Sequence, residues 1–129
     1  MIYVDTSVVL AQLLAEDRRP PAELWVEPLV SSRLLEYEVW TRLNGDGLVR
    51  SHGEAAQQLV GRISMLELSP LVCGRALEPF PVKVRTLDAL HLASIDFLRS
   101  RRVPVTLATY EDRMVRAAKA LRFDVQPLP

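Results

Sequence analysis

The chain has 129 residues, of which 49% are hydrophobic and 25% charged, and its formal net charge is zero. This length favours one domain with one core, and the balanced charge argues against a general nucleic-acid-binding surface, so a nucleic acid would have to bind at a local basic patch. A single cysteine, Cys73, excludes an internal disulfide framework and a zinc site made of several thiolates. This count is consistent with a reducing cytoplasm, and we expect Cys73 to be a small packing residue.

The amino-terminal stretch changes abruptly from strand-forming residues to an acid and two hydroxyls. Ile2–Val4 predicts a buried strand, and Asp5, Thr6 and Ser7 are good helix-start residues for the apolar stretch Val8–Leu14. Ligands of parallel α/β sheets bind beyond the carboxyl ends of the strands. Asp5 is therefore expected at the mouth of a site, and its role as a helix cap is compatible with that position. No glycine-rich loop follows, which excludes a dinucleotide fingerprint.

The rest of the chain alternates between predicted helices and strands. The predicted elements are a helical turn at Ala22–Glu27, a strand at Pro28–Ser32, a helix at Arg33–Asn44, a helix at Gly53–Ile63, a strand at Met65–Leu68, a helix at Pro70–Leu77, a helix at Thr86–Leu98, a strand at Val105–Ala108, a helix at Glu111–Leu121 and a strand at Phe123–Val125. This alternation predicts an α/β fold, a three-layer α/β/α sandwich with a central, mainly parallel sheet of four to five strands in a single domain over residues 1–129.

The start of the chain and its apolar runs bear on location. Met1 leads directly into the first strand, so we expect no signal peptide. No apolar run reaches the roughly 18 residues of a membrane span. We therefore expect a cytoplasmic protein that does not bind a membrane.

The helix predicted at Thr86–Leu98 is apolar on nearly every face, and it carries an acid. Asp88 has little solvent there, so its carboxylate needs a partner or a cation, which a metal ion would supply. The alternative is a first-turn acid that interacts with the helix dipole. His91 lies one turn further on, and a lone histidine on such a helix is more often structural than catalytic.

Other acids leave more than one interpretation open. Glu36 and Glu38 point to different sides of their helix, and periodicity alone does not choose between them; a surface ion pair with Arg42 is the simpler role for Glu38. Glu111 and Asp112 follow a strand at its carboxyl end, and the alternative role for both is that of ordinary first-turn helix acids.

Together, four stretches resemble the PIN-domain family, and most closely the VapC-type ribonuclease toxins of bacterial toxin–antitoxin pairs. These stretches are Tyr3–Ser7, Leu35–Val39, Leu87–Ala93, and Thr109–Met114 followed by Ala117–Leu121. Each motif is short, but all four occur in the family's order and cover nearly the whole chain. The resemblance implies a PIN-like fold and a metal-dependent endoribonuclease that uses Mg²⁺, for which Mn²⁺ can substitute.

The resemblance also assigns the site. It implies four catalytic acids, Asp5, Glu38, Asp88 and Glu111, of which Asp5 and Asp88 bind the metal directly. It further implies that hydroxyls support the carboxylates or a water on the metal, namely Thr6 or Ser7, and Thr109. The fourth acid departs from the family, which usually carries aspartate after Thr-Tyr. We assign the role to Glu111 by position, with Asp112 as the alternative.

The chemistry of RNA hydrolysis is consistent with such a site. A divalent ion activates a water and neutralises phosphate charge, and magnesium prefers oxygen ligands. Four carboxylates about 6 Å apart would repel one another by roughly 3 kcal/mol per pair at an effective dielectric of 20, so a cation should stabilise the cluster. Phosphate binding requires nearby cations. The candidates are Arg33, Arg42, Arg85, Arg113 and Arg116, of which Arg42, Arg85 and Arg113 are assigned to RNA binding, and the alternative role for each is that of a solvated surface arginine.

Partners are implied by the same resemblance. Similar toxins form homodimers and are inhibited by a cognate VapB-type antitoxin whose tail covers the site. Trp25, Tyr37 and Trp40 are large residues that suit either an interface or the core. Two rival interpretations remain: a catalytically inactive PIN-like module that binds RNA or protein, and an unrelated small α/β ligand-binding domain, which predicts that the acids are scattered.

Overall fold

The computed structural model describes all residues, 1–129, and has one five-stranded sheet in which every neighbouring pair of strands is parallel. The strand order is β3-β2-β1-β4-β5. The strands are β1 (Ile2–Val4), β2 (Leu29–Ser32), β3 (Ile63–Leu66), β4 (Thr106–Ala108) and β5 (Asp124–Val125). The helices are α1 (Thr6–Leu14), α2 (Leu34–Gly45), α3 (Val49–Val60), α4 (Pro70–Ala76), α5 (Thr86–Ser100) and α6 (Asp112–Ala120), with a 3-10 helix at Ala22–Val26.

Side chains of the central strand β1 point alternately to the two faces of the sheet, and each face has its own half of the hydrophobic core. Tyr3 and Val4 are both fully buried, but successive strand side chains point to opposite faces of the sheet. Val4 packs in one cluster with residues of α1, α2 and α3. Tyr3 packs in a second cluster with residues of α5 and α6. The predicted α/β/α sandwich is therefore confirmed, with five strands and a fully parallel sheet.

The register of the central strands brings two loops together at the carboxyl edge of the sheet. Val4 pairs with Ala108, and the Asp5 backbone N–H donates to the Ala108 carbonyl at 3.3 Å. Asp5 and Thr109, which directly follow these strands, are consequently neighbours although they lie far apart in the sequence. This edge is where ligands of parallel sheets bind.

The boundaries of α3 and β3 differ from the prediction. The helix spans Val49–Val60 rather than Gly53–Ile63, and the strand spans Ile63–Leu66 rather than Met65–Leu68. Pairing with β2 decides the strand boundary, because Ile63 lies in register with Leu29. Gly53 is inside the helix, where its Cα faces the Trp40 ring.

No helix is both long and apolar enough to cross a membrane.

Candidate active site

Asp5 lies between β1 and α1 and is 4% exposed. Its Oδ1 accepts hydrogen bonds from the backbone N–H of Ser7 at 3.1 Å and from the Ser7 hydroxyl at 2.5 Å, and its Oδ2 accepts one from the Thr109 hydroxyl. Burial raises the pKa of Asp5, and the bonds from Ser7 and Thr109 act in the opposite direction. A carboxylate has about four acceptor positions, so one remains for a further ligand.

The hydroxyls of Ser7 and Thr109, which donate to Asp5, also accept hydrogen bonds from the loop between β4 and α6. Ser7 Oγ accepts from the Tyr110 backbone N–H at 2.9 Å, and Thr109 Oγ1 accepts from the Glu111 backbone N–H at 3.0 Å. Each hydroxyl donates to the carboxylate and accepts from the loop, so its hydrogen-bonding capacity is used in both directions. The loop that carries Glu111 is thereby held beside Asp5.

Glu38 turns inward from α2. Its Oε1 accepts hydrogen bonds from the Thr6 hydroxyl at 2.8 Å and from His91 Nε2 at 2.7 Å. His91 is 4% exposed, and its Nδ1 lies 2.7 Å from the hydroxyl of fully buried Tyr3. Glu38 therefore contacts α1 and α5 at once and is fixed at the same edge as Asp5.

The two glutamates of α2, Glu36 and Glu38, have different surroundings. Arg42 pairs with Asp46 at 2.7 Å, so the ion pair considered for Glu38 is not formed. Glu36 lies 3.6 Å from Arg33 in an exposed pair. The helix therefore presents Glu38 to the site and Glu36 to the surface.

Asp88 occupies the first turn of α5 and is 8% exposed. Its Oδ2 accepts from the Arg85 backbone N–H at 3.3 Å and from Arg113 Nε at 2.6 Å. Arg113 Nη2 also lies 3.4 Å from Glu111 Oε2. Asp88 thus has the polar partner that its buried position requires, and that partner is shared with a second acid of the candidate site.

Short contacts through intervening groups join the elements that carry the four predicted acids. Thr109 connects Asp5 to the Glu111 backbone, Arg113 connects the Glu111 and Asp88 carboxylates, and His91 connects Glu38 to α5. No three acidic, histidine or cysteine side chains stand together so as to hold one metal ion.

The donor chemistry nevertheless fits a hard divalent ion. The available ligands are carboxylate oxygens, which Mg²⁺ and Mn²⁺ prefer. Asp88 Oδ1 and Glu38 Oε2 accept no hydrogen bond from the protein, and Asp5 keeps one acceptor position. Each of these acids consequently uses its bonds to fix its orientation and retains capacity for a cation.

A cleft with a volume of about 750 Å³ borders the site at Ser7 and Glu111. Its lining includes Ser7, Glu111, Arg18, Arg42 and Tyr110. The guanidinium of Arg18 lies 4.5 Å from the centre of the Tyr110 ring. Of the predicted basic residues, Arg42 therefore lies in the cleft wall. Arg18 lies there too, and no motif in the sequence indicates it.

Two other predicted residues make weaker links to the site. Asp112 is exposed and forms no ion pair, whereas its competitor Glu111 lines the cleft and contacts Arg113. Arg85 contributes its backbone N–H to Asp88 but forms no ion pair with the acids. Tyr3 was not predicted as a site residue, although a buried tyrosine needs a partner for its hydroxyl.

The fold and the position of the acids define a class: a small parallel α/β sandwich with carboxylates from separate elements at the carboxyl edge of the sheet. The model of the PIN domain family matches residues 2–120. The chain therefore belongs to the PIN-domain family, and the resemblance seen in the sequence is confirmed.

Two curated relatives point to the VapC-type branch of that family. "Ribonuclease VapC46" of Mycobacterium tuberculosis (strain ATCC 25618 / H37Rv) is 32% identical over 126 residues, which cover 93% of this chain and 92% of that protein. "Ribonuclease VapC47" of Mycobacterium tuberculosis (strain CDC 1551 / Oshkosh) is 27% identical over 130 residues, covering 95% of this chain and 93% of that protein. The similarity spans almost the full length of both proteins.

Proposed function

We propose that this protein is a metal-dependent endoribonuclease, the toxin of a VapBC-type toxin–antitoxin system, and that it hydrolyses RNA phosphodiester bonds at its acidic site. The catalytic acids are Asp5, Glu38, Asp88 and Glu111. The observation that carries the proposal is the set of contacts that joins the elements carrying these acids, which come from four places along the chain. The printed names of both relatives describe them as ribonucleases.

Asp5 and Asp88 are the proposed direct ligands of Mg²⁺, for which Mn²⁺ can substitute. When bound, the ion would neutralise phosphate charge and activate the attacking water. Glu38 would orient that water or take its proton, because Oε2 is free while Oε1 is held by Thr6 and His91. Glu111 is the proposed fourth acid, since Thr109 fixes its backbone beside Asp5.

The RNA would lie along the cleft that begins at Ser7 and Glu111. Arg42 and Arg18 line this cleft, so their guanidinium groups would meet phosphates on the approach to the acids. Arg85 is less favoured because it supports Asp88 through its backbone. The balanced charge of the chain makes such a local pair of cations necessary.

A fluorogenic single-stranded RNA assay tests the proposal. We expect cleavage with Mg²⁺ or Mn²⁺, none with EDTA, and a loss of at least about 100-fold in kcat for Asp5→Asn, because the removed charge lies next to the reacting phosphate. The matched control is Asp124→Asn, which makes the same change at an exposed residue of β5 and should leave the rate unchanged. Wild-type cleavage in EDTA, or by Asp5→Asn at the normal rate, would refute the proposal.

A second candidate function is a catalytically inactive PIN-like module that binds RNA or a protein through the same cleft. It is favoured by one observation: Arg113 already neutralises Asp88, and no three acids stand together to hold an ion. Fluorescence anisotropy with a labelled RNA separates the two functions. The inactive module would bind the RNA without cleavage that a chelator suppresses.

We propose two protein partners on the basis of the VapC-type resemblance: a second copy of the chain and a cognate VapB-type antitoxin. Light scattering after size exclusion should give twice the mass of one chain. Adding the VapB-type protein encoded in the neighbouring reading frame should abolish metal-dependent cleavage. Undiminished cleavage at an excess of that protein would contradict the assigned partner.

A further inference from the structure

Arg113 joins two of the four acids of the candidate site. Its Nε donates to Asp88 Oδ2 at 2.6 Å, and its Nη2 lies 3.4 Å from Glu111 Oε2. The Asp88 side chain is only 12% exposed, so water screens this pair less than an ordinary surface ion pair. The hydrogen bond from Arg113 to Asp88, together with the charge of Asp88, raises the pKa of Arg113. A permanent positive charge therefore lies among the acids.

No other lysine or arginine forms an ion pair with these four acids. The remaining arginine pairs join acids outside the candidate site, namely Arg33 with Glu36 and Glu67, Arg42 with Asp46, Arg75 with Glu78 and Asp96, and Arg99 with Asp96. The one other charged-group contact of the four acids is that of Glu38 with His91. Arg113 is thus the one fixed cation bonded to the cluster.

Resting on the function proposed above, we propose that Arg113 is an internal counter-cation: it neutralises Asp88 and Glu111 while no divalent ion is bound, and an incoming Mg²⁺ or Mn²⁺ displaces it from Asp88. Two cations at one carboxylate repel each other, and a divalent ion binds a hard oxygen more strongly than a guanidinium does. The Arg113 side chain is 33% exposed near the start of α6, so it has solvent into which it can turn.

This exchange gives Arg113 a second position to occupy. Once it leaves Asp88, its guanidinium is free to contact a phosphate of the RNA, the role predicted for this residue from the sequence. Arginine suits both roles, because its planar fork of donors matches a carboxylate and a phosphate equally well. Ion binding would thereby release a cation for the substrate at the moment when the site becomes competent.

Calorimetric titration of the full chain with MnCl₂ tests the exchange without using activity. Arg113→Gln removes the competing charge and should bind Mn²⁺ about tenfold more tightly than the wild type. The matched control is Arg116→Gln, the same charge change one turn along α6 at an exposed arginine without an ion pair. Its Mn²⁺ affinity should stay within about twofold of the wild type.

Thermal unfolding gives a second readout. In EDTA, Arg113→Gln should melt a few degrees below Arg116→Gln, because it leaves a largely buried carboxylate without its cation. Saturating Mn²⁺ should raise its Tm more than that of the control, since a more tightly bound ligand stabilises the folded state more. If Arg113→Gln does not fold, Arg113→Lys replaces it in the Mn²⁺ titration. Lysine lacks the planar guanidinium with its fixed donors, so this variant should bind Mn²⁺ more tightly than the wild type.

The outcomes separate this inference from the proposed function. Mn²⁺ affinity that is unchanged or weaker in Arg113→Gln, or in Arg113→Lys where that variant is used, would overturn the exchange and leave the metal site standing. Such a result would mean that Arg113 orients Asp88 for the ion instead of competing with it. If neither the wild type nor the variants bind Mn²⁺, the proposed metal-dependent function fails, and the exchange fails with it.

Discussion

His91 Nε2 donates a hydrogen bond to Glu38 Oε1 across 2.7 Å, and this bond fixes which ring nitrogen carries the proton. A carboxylate only accepts, so Nε2 must be protonated, and in the neutral ring Nδ1 then accepts from the Tyr3 hydroxyl at 2.7 Å. The Tyr3 oxygen in turn accepts from the Ser32 backbone N–H at 3.2 Å. A continuous series of hydrogen bonds therefore connects the Ser32 N–H in β2 to Glu38 Oε1 through Tyr3 and His91.

The bond predicts different outcomes for two replacements of His91. Glutamine places an N–H near the position of Nε2, whereas asparagine is too short to reach Glu38. We expect His91→Asn to lower kcat at least about tenfold with little change in KM, because Glu38 loses a donor that orients it, whereas His91→Gln should stay within a few-fold of the wild type. Equal losses in both variants would show that His91 only fills space. Steady-state cleavage of the fluorogenic RNA measures the difference.

Tyr3→Phe should reduce stability more than activity. Burial raises the pKa of Tyr3, so its hydroxyl stays protonated and donates to His91. Removing it leaves His91 Nδ1 and the Ser32 N–H without their partner, at a cost of about 1–3 kcal/mol. Urea unfolding measures this change. Tyr37→Phe, at a side chain that is 64% exposed, should be neutral, and an equally small effect at Tyr3 would contradict this series of hydrogen bonds.

Glu111 and Asp112 can be distinguished by a pair of amide substitutions. Glu111 lines the cleft and shares Arg113 with Asp88, whereas Asp112 is exposed and has no ionic partner. We expect Glu111→Gln to lower the rate of RNA cleavage by at least about tenfold and Asp112→Asn to change it less than about twofold. The reverse order would assign the fourth acid to Asp112.

The pH dependence of stability should report the buried charge of Asp5 in metal-free protein. Burial raises the pKa of Asp5 above its ordinary value of 3.8, so between these two values the folded chain binds more protons than the unfolded chain. The free energy of unfolding then falls as pH rises through this window, and above the folded pKa the charge destabilises the fold fully.

The Asp5→Asn variant has no titrating group at this position, so it is the reference for the pH dependence that Asp5 adds to the free energy of unfolding. In EDTA, its free energy of unfolding minus that of the wild type should be largest at neutral pH and should decrease as pH is lowered through the pKa of Asp5. Urea unfolding at several pH values, with Asp124→Asn measured alongside, gives the comparison. A difference that is constant, or that grows on acidification, would show that Asp5 titrates at or below its ordinary pKa.

Local sequence patterns were sufficient for the sheet and for two of the acids. Asp5 ends a strand, and Asp88 stands on a helix that is buried on most faces, so both positions follow from residue order and periodicity. The predicted start of α3 is wrong because glycine favours a helix boundary over a helix interior. In the structure Gly53 lies within α3, beside the Trp40 ring.

Long-range contacts lie beyond what local patterns predict. Glu36 and Glu38 are equivalent in periodicity, and the family resemblance selects Glu38. In the structure Glu38 contacts Thr6 and His91, which lie 32 and 53 residues away in the chain. The sequence indicates Arg113 only as a candidate for phosphate binding, whereas its contact with Asp88, 25 residues earlier in the chain, depends on the position of α6. Such pairings depend on how the helices pack on the sheet, which short motifs do not encode.

The most direct measurement is an anomalous difference map from crystals grown with manganese. We expect one Mn²⁺ peak about 2.1 Å from carboxylate oxygens of both Asp5 and Asp88, with the Arg113 guanidinium no longer on Asp88. A peak elsewhere, or no peak with Arg113 still bonded to Asp88 at saturating Mn²⁺, would contradict this expectation.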